Sequence, residues 1–397
     1  MRTRVLGTVS LALVALALVA CGGGEKSTGG PPGVTVTVSP AASPSPVPSP
    51  AATPTPQPTP SGPRLLYSRF GTTEDVIVVS PGAAPEQGET LTTVSHVGFW
   101  GINASVSPDG KWVAYTRLSP DVRSPEITAD SEAEVWLLPL PAGQPVLVGR
   151  GADVRVAPVW SPDSSRLVYQ GFDRERNTFV LSLVSVREKT AKPLVSVGGA
   201  TPVSLLSFDR RGREVYVVQM ESGVSSVLAV DASNGSLRTV GRAPGGVARD
   251  WQPSPDRRQA SFVAQSADGG WGVWVMDLES GSVRQVQGLP RDRELFSPVW
   301  HPEGGALAVG VAPAGAPGGV LIVPLSGGEV RRMPPPSQGF DVPVAWSPQG
   351  EYLVVQEFAE YPVRQRGILR VLTADGKRFT PAGEAEVSFI GWLPGED

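Results

Sequence analysis

Short apolar runs alternate with polar turns along residues 62–397 of this chain. The runs are of strand length, and the segments between them are rich in Pro, Asp, Ser and Gly, which is typical of β-strands joined by tight turns. The high totals of Gly (46) and Pro (41) fit a chain with many turns. The pattern predicts an all-β domain over residues 62–397.

One motif recurs in this region: an apolar strand, a turn of the Ser-Pro-Asp-Gly type, and a second apolar strand. The clearest copies are 106–115 and 160–169, two further copies start at Trp300 and Trp346, and degenerate copies occupy 208–212 and 253–257. In such turns Pro presets φ at the second position, Asp can bond nearby backbone, and Gly accepts a positive φ. The repeated turn is therefore predicted to join two neighbouring strands.

The spacing of the motif predicts the architecture. The proline position of the turn falls at residues 108, 162, 210, 255, 302 and 348. Steps of this size match a four-stranded propeller blade, and two further strand signals lie between successive turns. The chain is therefore predicted to form a single β-propeller.

The two ends of the region complete each other. Residues 389–397 carry the first half of the motif, and residues 62–69 carry the second half. We therefore expect the C-terminal strand Val387–Leu393 to complete the N-terminal blade, beside strands at Leu65–Ser68, Val76–Val79 and Leu91–Val94. Such closure removes exposed sheet edges. This count gives seven four-stranded blades, and six is the alternative because two copies are degenerate.

The Trp-Ser-Pro-Asp-Gly pattern, followed by an apolar strand and a Val-Met-Asp-like strand, resembles the TolB-type (WD-like) propeller repeat. The resemblance covers nearly all of residues 62–397. It implies a propeller fold and says little about function. TolB proteins carry an N-terminal α/β domain where this chain has a different segment, so a direct role as TolB is not implied.

Residues 1–20 have the layout of a lipoprotein signal peptide. Arg2 and Arg4 precede an apolar run, and the segment ends in Leu-Val-Ala before Cys21. This ending resembles the lipobox of bacterial lipoproteins, in which the cysteine is lipidated. An ordinary signal peptide with a chance cysteine is the alternative. The resemblance implies export and lipid anchoring through Cys21, at the outer face of the cytoplasmic membrane or in the periplasm and cell envelope.

Residues 21–61 are predicted to be a disordered tether rich in Pro, Ser and Thr. Twelve of the thirty-three residues from 31 to 63 are proline, and none is aromatic or charged. A segment of this composition cannot bury enough apolar surface to fold. Its predicted role is to space the propeller from the membrane, and the alternative is a proline motif that binds a partner domain.

The composition excludes several classes of function. The formal net charge is -4 and no basic block is present, which argues against nucleic-acid binding. One cysteine cannot form an internal disulfide, and a total of two histidines, His96 and His301, argues against a metal cluster. We expect no metal and no cofactor, and we interpret both histidines as core or turn residues.

Known catalytic patterns of propeller proteins are missing from the sequence. A peptidase would need a Gly-x-Ser-x-Gly elbow and a further domain, and residues 266–272 only approach a sialidase Asp box. The expectation is a protein that is not an enzyme. Carboxylates from different blades can still converge, so a glycoside hydrolase or lyase remains an open alternative.

The predicted binding face is formed by the connections between the fourth and first strands and between the second and third strands. These connections mix Arg, Asp and aromatic residues, which are favoured at interaction surfaces. The leading hypothesis is a monomeric scaffold that binds a protein partner, and the alternative is a receptor for a small ligand or glycan. The candidate residues are Phe99, Trp100, Arg155, Arg249, Asp250, Arg293, Phe340 and Asp341.

Overall fold

A computed structural model describes residues 62–121, 131–197, 202–266, 269–381 and 386–395. The predicted signal peptide, Cys21 and tether lie outside the described residues. The described part of the chain contains strands and turns and no helix. Within it, no helix is long and apolar enough to span a membrane.

The strands form seven four-stranded antiparallel sheets, which are the blades of a propeller. Blade 1 consists of β1 (Arg64–Arg69), β2 (Glu74–Pro81), β3 (Glu89–Ser95) and the final strand β28 (Val387–Leu393). Blade 2 consists of β4 (Asn103–Val106), β5 (Trp112–Arg117), β6 (Glu132–Pro139) and β7 (Val146–Asp153). Blade 3 consists of β8 (Val159–Trp160), β9 (Arg166–Asp173), β10 (Thr178–Ser185) and β11 (Thr190–Val197).

The remaining four blades are continuous in sequence. Blade 4 consists of β12 (Val203–Phe208), β13 (Glu214–Glu221), β14 (Val224–Asp231) and β15 (Leu237–Arg242). Blade 5 consists of β16 (Ala248–Pro253), β17 (Gln259–Gln265), β18 (Trp271–Asp277) and β19 (Val283–Gln285). Blade 6 consists of β20 (Leu295–Trp300), β21 (Ala306–Val311), β22 (Val320–Pro324) and β23 (Arg331–Arg332). Blade 7 consists of β24 (Phe340–Trp346), β25 (Tyr352–Phe358), β26 (Ile368–Thr373) and β27 (Arg378–Phe379).

The predicted seven-blade count and ring closure are both confirmed. The sheet of blade 1 has the order β28-β1-β2-β3, and β28 pairs antiparallel with β1 so that Leu65 faces Trp392. Ile390 and Leu393 of β28 are buried in a cluster that includes residues of blade 2. The C-terminal strand therefore links the first blade to its neighbour as well as completing it.

The repeated turn has the local chemistry that its sequence predicts. In blade 3 the Ser161 hydroxyl donates to Asp163 at 2.6 Å and accepts the Arg166 amide N–H at 2.9 Å. Blades 2 and 5 repeat this arrangement with Ser107 and Ser254. A serine at this position thus satisfies two groups of the turn at once.

The core lies between the faces of adjacent blades. One apolar cluster joins Leu137 of blade 2 to Leu167 of blade 3, and similar clusters join the other neighbours. Trp160 and Trp300, at the ends of first strands, each donate their indole N–H to the preceding blade, at 3.1 Å to Ser105 Oγ and to the Gln252 carbonyl. These contacts agree with inter-blade packing. Trp112 and Trp136 lie in the second and third strands of blade 2.

Because every blade is antiparallel, its connections alternate between two ends of the ring. The turn face carries the first-to-second turns, such as 107–111 and 161–165, and the third-to-fourth turns, such as 232–236 and 278–282. The loop face carries the second-to-third and fourth-to-first connections, such as 359–367 and 286–294. Residues 62 and 63 precede β1 on the turn face, where the Pro63 carbonyl accepts the Gly82 N–H at 2.9 Å.

Candidate functional site

Three of the predicted binding residues meet on the loop face of blades 5, 6 and 7. Arg249 forms ion pairs with Asp250 at 2.5 Å and with Glu294 at 2.7 Å. Its guanidinium lies 4.7 Å from the ring centre of Trp271 and 5.1 Å from that of Phe296. Phe340 joins the same group because its ring centre is 5.2 Å from Phe296. We call Arg249, Asp250, Glu294, Trp271, Phe296 and Phe340 the Arg249 cluster.

Asp250 and Ser297 occupy equivalent positions in the first strands of blades 5 and 6. Both residues have a positive φ (56° and 43°), and each strand contains a bulge at this point. The irregular backbone lets the Asp250 carboxylate accept the Ser297 N–H at 3.1 Å. Burial raises the pKa of Asp250, and the charge of Arg249 and the Ser297 N–H offset this only in part. The hydrogen bond that forms at the bulge thus links blade 5 to blade 6.

Tyr361 connects blade 7 to this cluster, and the sequence did not single it out. Its hydroxyl donates a short hydrogen bond to Glu294, and its ring contacts both Phe296 and Phe340 edge-on. The hydrogen bond to Glu294 and burial raise the pKa of Tyr361 to about 12. Tyr361 lies in the nine-residue segment 359–367 between β25 and β26, and the length of that connection was the available signal.

Phe340 and Asp341 lie in the interior and do not form an exposed face. Neither side chain is exposed to solvent. Phe340 packs among Phe296, Phe358 and Tyr361. Asp341 accepts two hydrogen bonds from Arg378, at 3.0 and 2.7 Å, which explains how a buried carboxylate is accommodated. Both residues lie under the loop face, because β24 is a first strand and begins at that face.

The other predicted residues are distributed around the ring. Arg155 makes a two-point contact with Asp153, at 2.9 and 2.7 Å, between blades 2 and 3. Arg293 lies beside Glu294 in the connection 286–294. Trp100 packs against the apolar cluster of blades 2 and 3, whereas the adjacent Phe99 is 64% exposed. The eight predicted residues are therefore not one site.

The connection that carries Phe99 is held by a buried acid–histidine pair. Asp75 accepts from Ile102 N–H at 2.8 Å and contacts Nε2 of His96 at 3.3 Å. Burial lowers the pKa of His96, but the hydrogen bonds to Asp75 and to the Val97 carbonyl and the Asp75 charge raise it above its ordinary value. His96 is thus a core residue, as predicted, and His301 lies in a turn, where the Glu303 N–H contacts its ring at 3.4 Å.

Exposed large apolar side chains are concentrated on the loop face. Phe99, Val247, Tyr361 and Ile368 lie there, and Leu237 is the member of this set on the turn face. In the described ranges, no group of three or more His, Cys, Asp or Glu side chains is arranged to hold a metal ion. The arrangement offers apolar contacts and fixed charges.

Sequence comparisons with known proteins match only part of the chain. No protein-family model matches the chain. A segment of 146 residues, 33% of this chain, is 27% identical to a probable dipeptidyl-peptidase 5 of Aspergillus niger and spans 19% of that protein. The chain thus matches only about a fifth of the length of this relative.

Solved propeller structures share the architecture at low sequence identity. The periplasmic gluconolactonase PpgL of Pseudomonas aeruginosa has a TM-score of 0.54 and 16% identity over 83% of this chain and 99% of that chain. TolB from Acinetobacter baumannii has a TM-score of 0.45 and 18% identity over 68% of this chain and 65% of that chain. The similarity to the gluconolactonase supports the propeller fold, and at these identities the likenesses extend no further than the fold.

Proposed function

We propose that this protein is a lipid-anchored, extracytoplasmic propeller that binds a protein partner on its loop face. The observation that carries the proposal is the unequal distribution of exposed apolar side chains between the two faces. Among the residues that the structure describes, four of the five large ones lie on the loop face, and Phe99 is the most exposed of them. Single exposed apolar residues are ordinary, but concentration on one face is typical of an interaction surface.

Rigid support of this face favours binding. The Arg249 cluster ties together blades 5, 6 and 7, and the Asp75–His96 pair fixes the connection that carries Phe99. The Phe99 N–H also donates to the Thr72 carbonyl at 2.8 Å. A surface whose residues are already ordered loses less conformational entropy when a partner binds.

The position of residue 62 fits an anchor at Cys21. Because residues 62 and 63 lie on the turn face, a tether formed by residues 21–61 joins the propeller at that end. An extended proline-rich chain reaches about 3.1 Å per residue. The loop face then lies on the side of the propeller opposite its point of attachment, where a partner can approach it.

Site-specific photo-cross-linking in native cells tests the binding face. A photoreactive phenylalanine analogue is placed at position 99 or 361, and position 237 serves as the matched control because Leu237 is 45% exposed on the turn face. We expect a discrete protein adduct from positions 99 and 361 and none from 237. Equal adducts from all three positions, or none from any, would contradict binding on the loop face.

Cell fractionation tests the anchor separately. Cys21→Ala removes the thiol that the lipidation reaction requires, so the variant should move from the membrane fraction to the soluble fraction. Stable attachment of a soluble domain needs more than one acyl chain or a second membrane signal. A variant that stays in the membrane fraction to the same extent as wild type would contradict lipidation at Cys21.

A further inference from the structure

A basic cleft opens on the turn face between blades 4 and 5, on the side opposite the proposed partner site. Its volume is about 290 Å³. It is lined by the first-to-second turns of both blades together with the neighbouring ends of other strands. The charged lining residues are Arg210, Arg211, Arg238, Arg257, Arg258, Asp209, Glu214 and Glu279.

The charges of this lining are unequal. Five arginines and three acids line the cleft, and Asp256, which lies outside the lining, pairs with Arg258 at 3.9 Å. Arg238 and Glu214 neutralise each other through two hydrogen bonds of 2.9 and 2.7 Å. Asp209 accepts the backbone N–H groups of Arg211 and Glu214, at 3.2 and 2.9 Å, and its charge also acts on Arg257. In the described part of the chain, the lining arginines with no direct ion pair are Arg210, Arg211 and Arg257.

Arg257 departs from the pattern of the repeat. Its φ is +57°, and the equivalent turn position is glycine in four other blades (Gly110, Gly212, Gly304 and Gly350) and serine in one (Ser164). A long side chain in this left-handed region is unfavourable, so its presence needs a compensating interaction. Arginine thus stands where the turn itself favours glycine.

The guanidinium of Arg257 crosses to another blade. Its Nη1 donates to the Trp160 carbonyl of blade 3 at 3.1 Å. Within the part of the chain that the structure describes, no acid forms a direct ion pair with it. Burial lowers the pKa of Arg257, and the charge of Asp209 offsets this only in part. A partly buried cation that lacks a direct ion pair is costly, and a bound anion would reduce that cost.

We propose that this cleft binds a phosphate dianion, either inorganic phosphate or the phosphate group of a monoester. Arg210 and Arg211 approach from blade 4, and Arg257 and Arg258 from blade 5, so donors reach the cleft from two sides. This arrangement suits a tetrahedral anion with several acceptor oxygens, and guanidinium groups pair well with phosphate. The inference is independent of the partner site on the loop face.

Calorimetric titration with inorganic phosphate at constant ionic strength tests the site, with the whole chain carrying Cys21→Ser so that it has no acyl chains. We expect saturable binding at one site. Arg257→Gly should weaken affinity about tenfold or more, because a charge-assisted hydrogen bond is lost. The same variant should melt at the wild-type temperature or above it, because glycine suits the backbone there. Arg187→Gln is the matched control, an exposed arginine on the turn face of blade 3.

A second arm identifies the source of the phosphate. The same proteins are sedimented with phosphatidylcholine vesicles that contain or lack phosphatidic acid. Binding of phosphate together with Arg257-dependent binding of phosphatidic acid vesicles supports a lipid headgroup as the ligand. Binding of phosphate alone supports a soluble monoester. The proposal is overturned if wild type does not bind phosphate, or if Arg257→Gly binds it as tightly as wild type does.

Discussion

On the turn face, Ser107, Ser161 and Ser254 each make the same pair of hydrogen bonds. On the loop face, by contrast, each connection is held in place by different groups. Asp75 and His96 hold the connection between blades 1 and 2, and Arg249 with its partners joins blades 5, 6 and 7. The turn contacts are local in sequence, whereas contacts of the loop face also join residues 21 to 67 positions apart. The turns therefore maintain the blades, and the loop face can vary in chemistry without changing them.

The largest loss of stability is expected when the ring is opened, because both faces depend on its closure. Deleting residues 386–397 removes β28, including the buried Val387, Ile390 and Leu393. Truncating one large buried aliphatic residue costs about 2–5 kcal/mol, against a total stability of about 5–15 kcal/mol. The shortened chain should therefore unfold or aggregate, as measured by circular dichroism melting and gel filtration. Deletion of residues 22–60 is the control, since no core is predicted there, and a truncated chain that melts like wild type would contradict closure by β28.

Removing the central cation of the loop face should have the next largest effect. Arg249→Met keeps much of the side-chain volume but leaves Asp250 and Glu294 without their cation. Breaking a buried pair from one side costs about 3–5 kcal/mol, and partial exposure of Glu294 places this case near the lower limit. Urea unfolding measures the loss. Arg155→Met is the control, because its pair with Asp153 is more exposed and should contribute about 1 kcal/mol or less.

The pH dependence of the Arg249→Met variant sharpens this comparison. Burial already raises the pKa of Asp250, and removal of Arg249 raises it further. A carboxyl group with a raised pKa in the folded state is tolerated when it is protonated and destabilises the fold as pH rises. The variant should therefore lose more stability at pH 8 than at pH 5. An equal loss at both values would mean that Asp250 finds another cation.

A smaller effect is expected in a single turn. Ser161→Ala removes the acceptor of the Arg166 N–H and the donor to Asp163, which should cost about 1–2 kcal/mol. Hydrogen bonds, first from Ser161, lower the pKa of Asp163 to about 2. That contribution is present above the ordinary Asp pKa of about 3.9 and is lost as pH falls toward 2. Solvent screening at this exposed carboxylate keeps it to about 1 kcal/mol or less.

The control for the turn lies on the same face. Ser326 makes only a 3.5 Å contact with the Gly327 carbonyl. Ser326→Ala should therefore change the free energy of unfolding by less than about 0.5 kcal/mol in urea titrations. If Ser161→Ala were as mild as this control, the repeated serine would have no stabilising role in the turn.

The fold was predictable because the turn face repeats. Pro108, Pro162 and Pro348 mark the same point of three blades, and even Gly212 of a degenerate copy has the positive φ that the motif requires. The loop face has no such repeat. Arg249 and Asp250 were found as charged loop residues, but the sequence does not show that Glu294 and Tyr361 contact them from two other blades. The sequence places Phe340 on the binding surface, but the residue is buried. Burial of an aromatic residue at a strand end depends on the neighbouring blades, which the local sequence does not show.

His96 gives the smallest and most specific test. Its pKa is raised in the folded protein, mainly by the hydrogen bond to Asp75 in opposition to burial, while the nearby Arg117 lowers it. A raised folded pKa means that this stabilisation is complete below the unfolded value of about 6.5 and is lost as pH rises through the folded value. The stability advantage of wild type over His96→Gln should thus be larger at pH 6 than at pH 9 in urea titrations. Ser326→Ala, which removes no titratable group, is the control. Because Asp75 also accepts the Ile102 N–H, loosening this pair weakens the connection that carries Phe99, and cross-linking from position 99 should decline with rising pH while that from 361 does not. A parallel decline at both positions would assign the effect to the partner and not to His96.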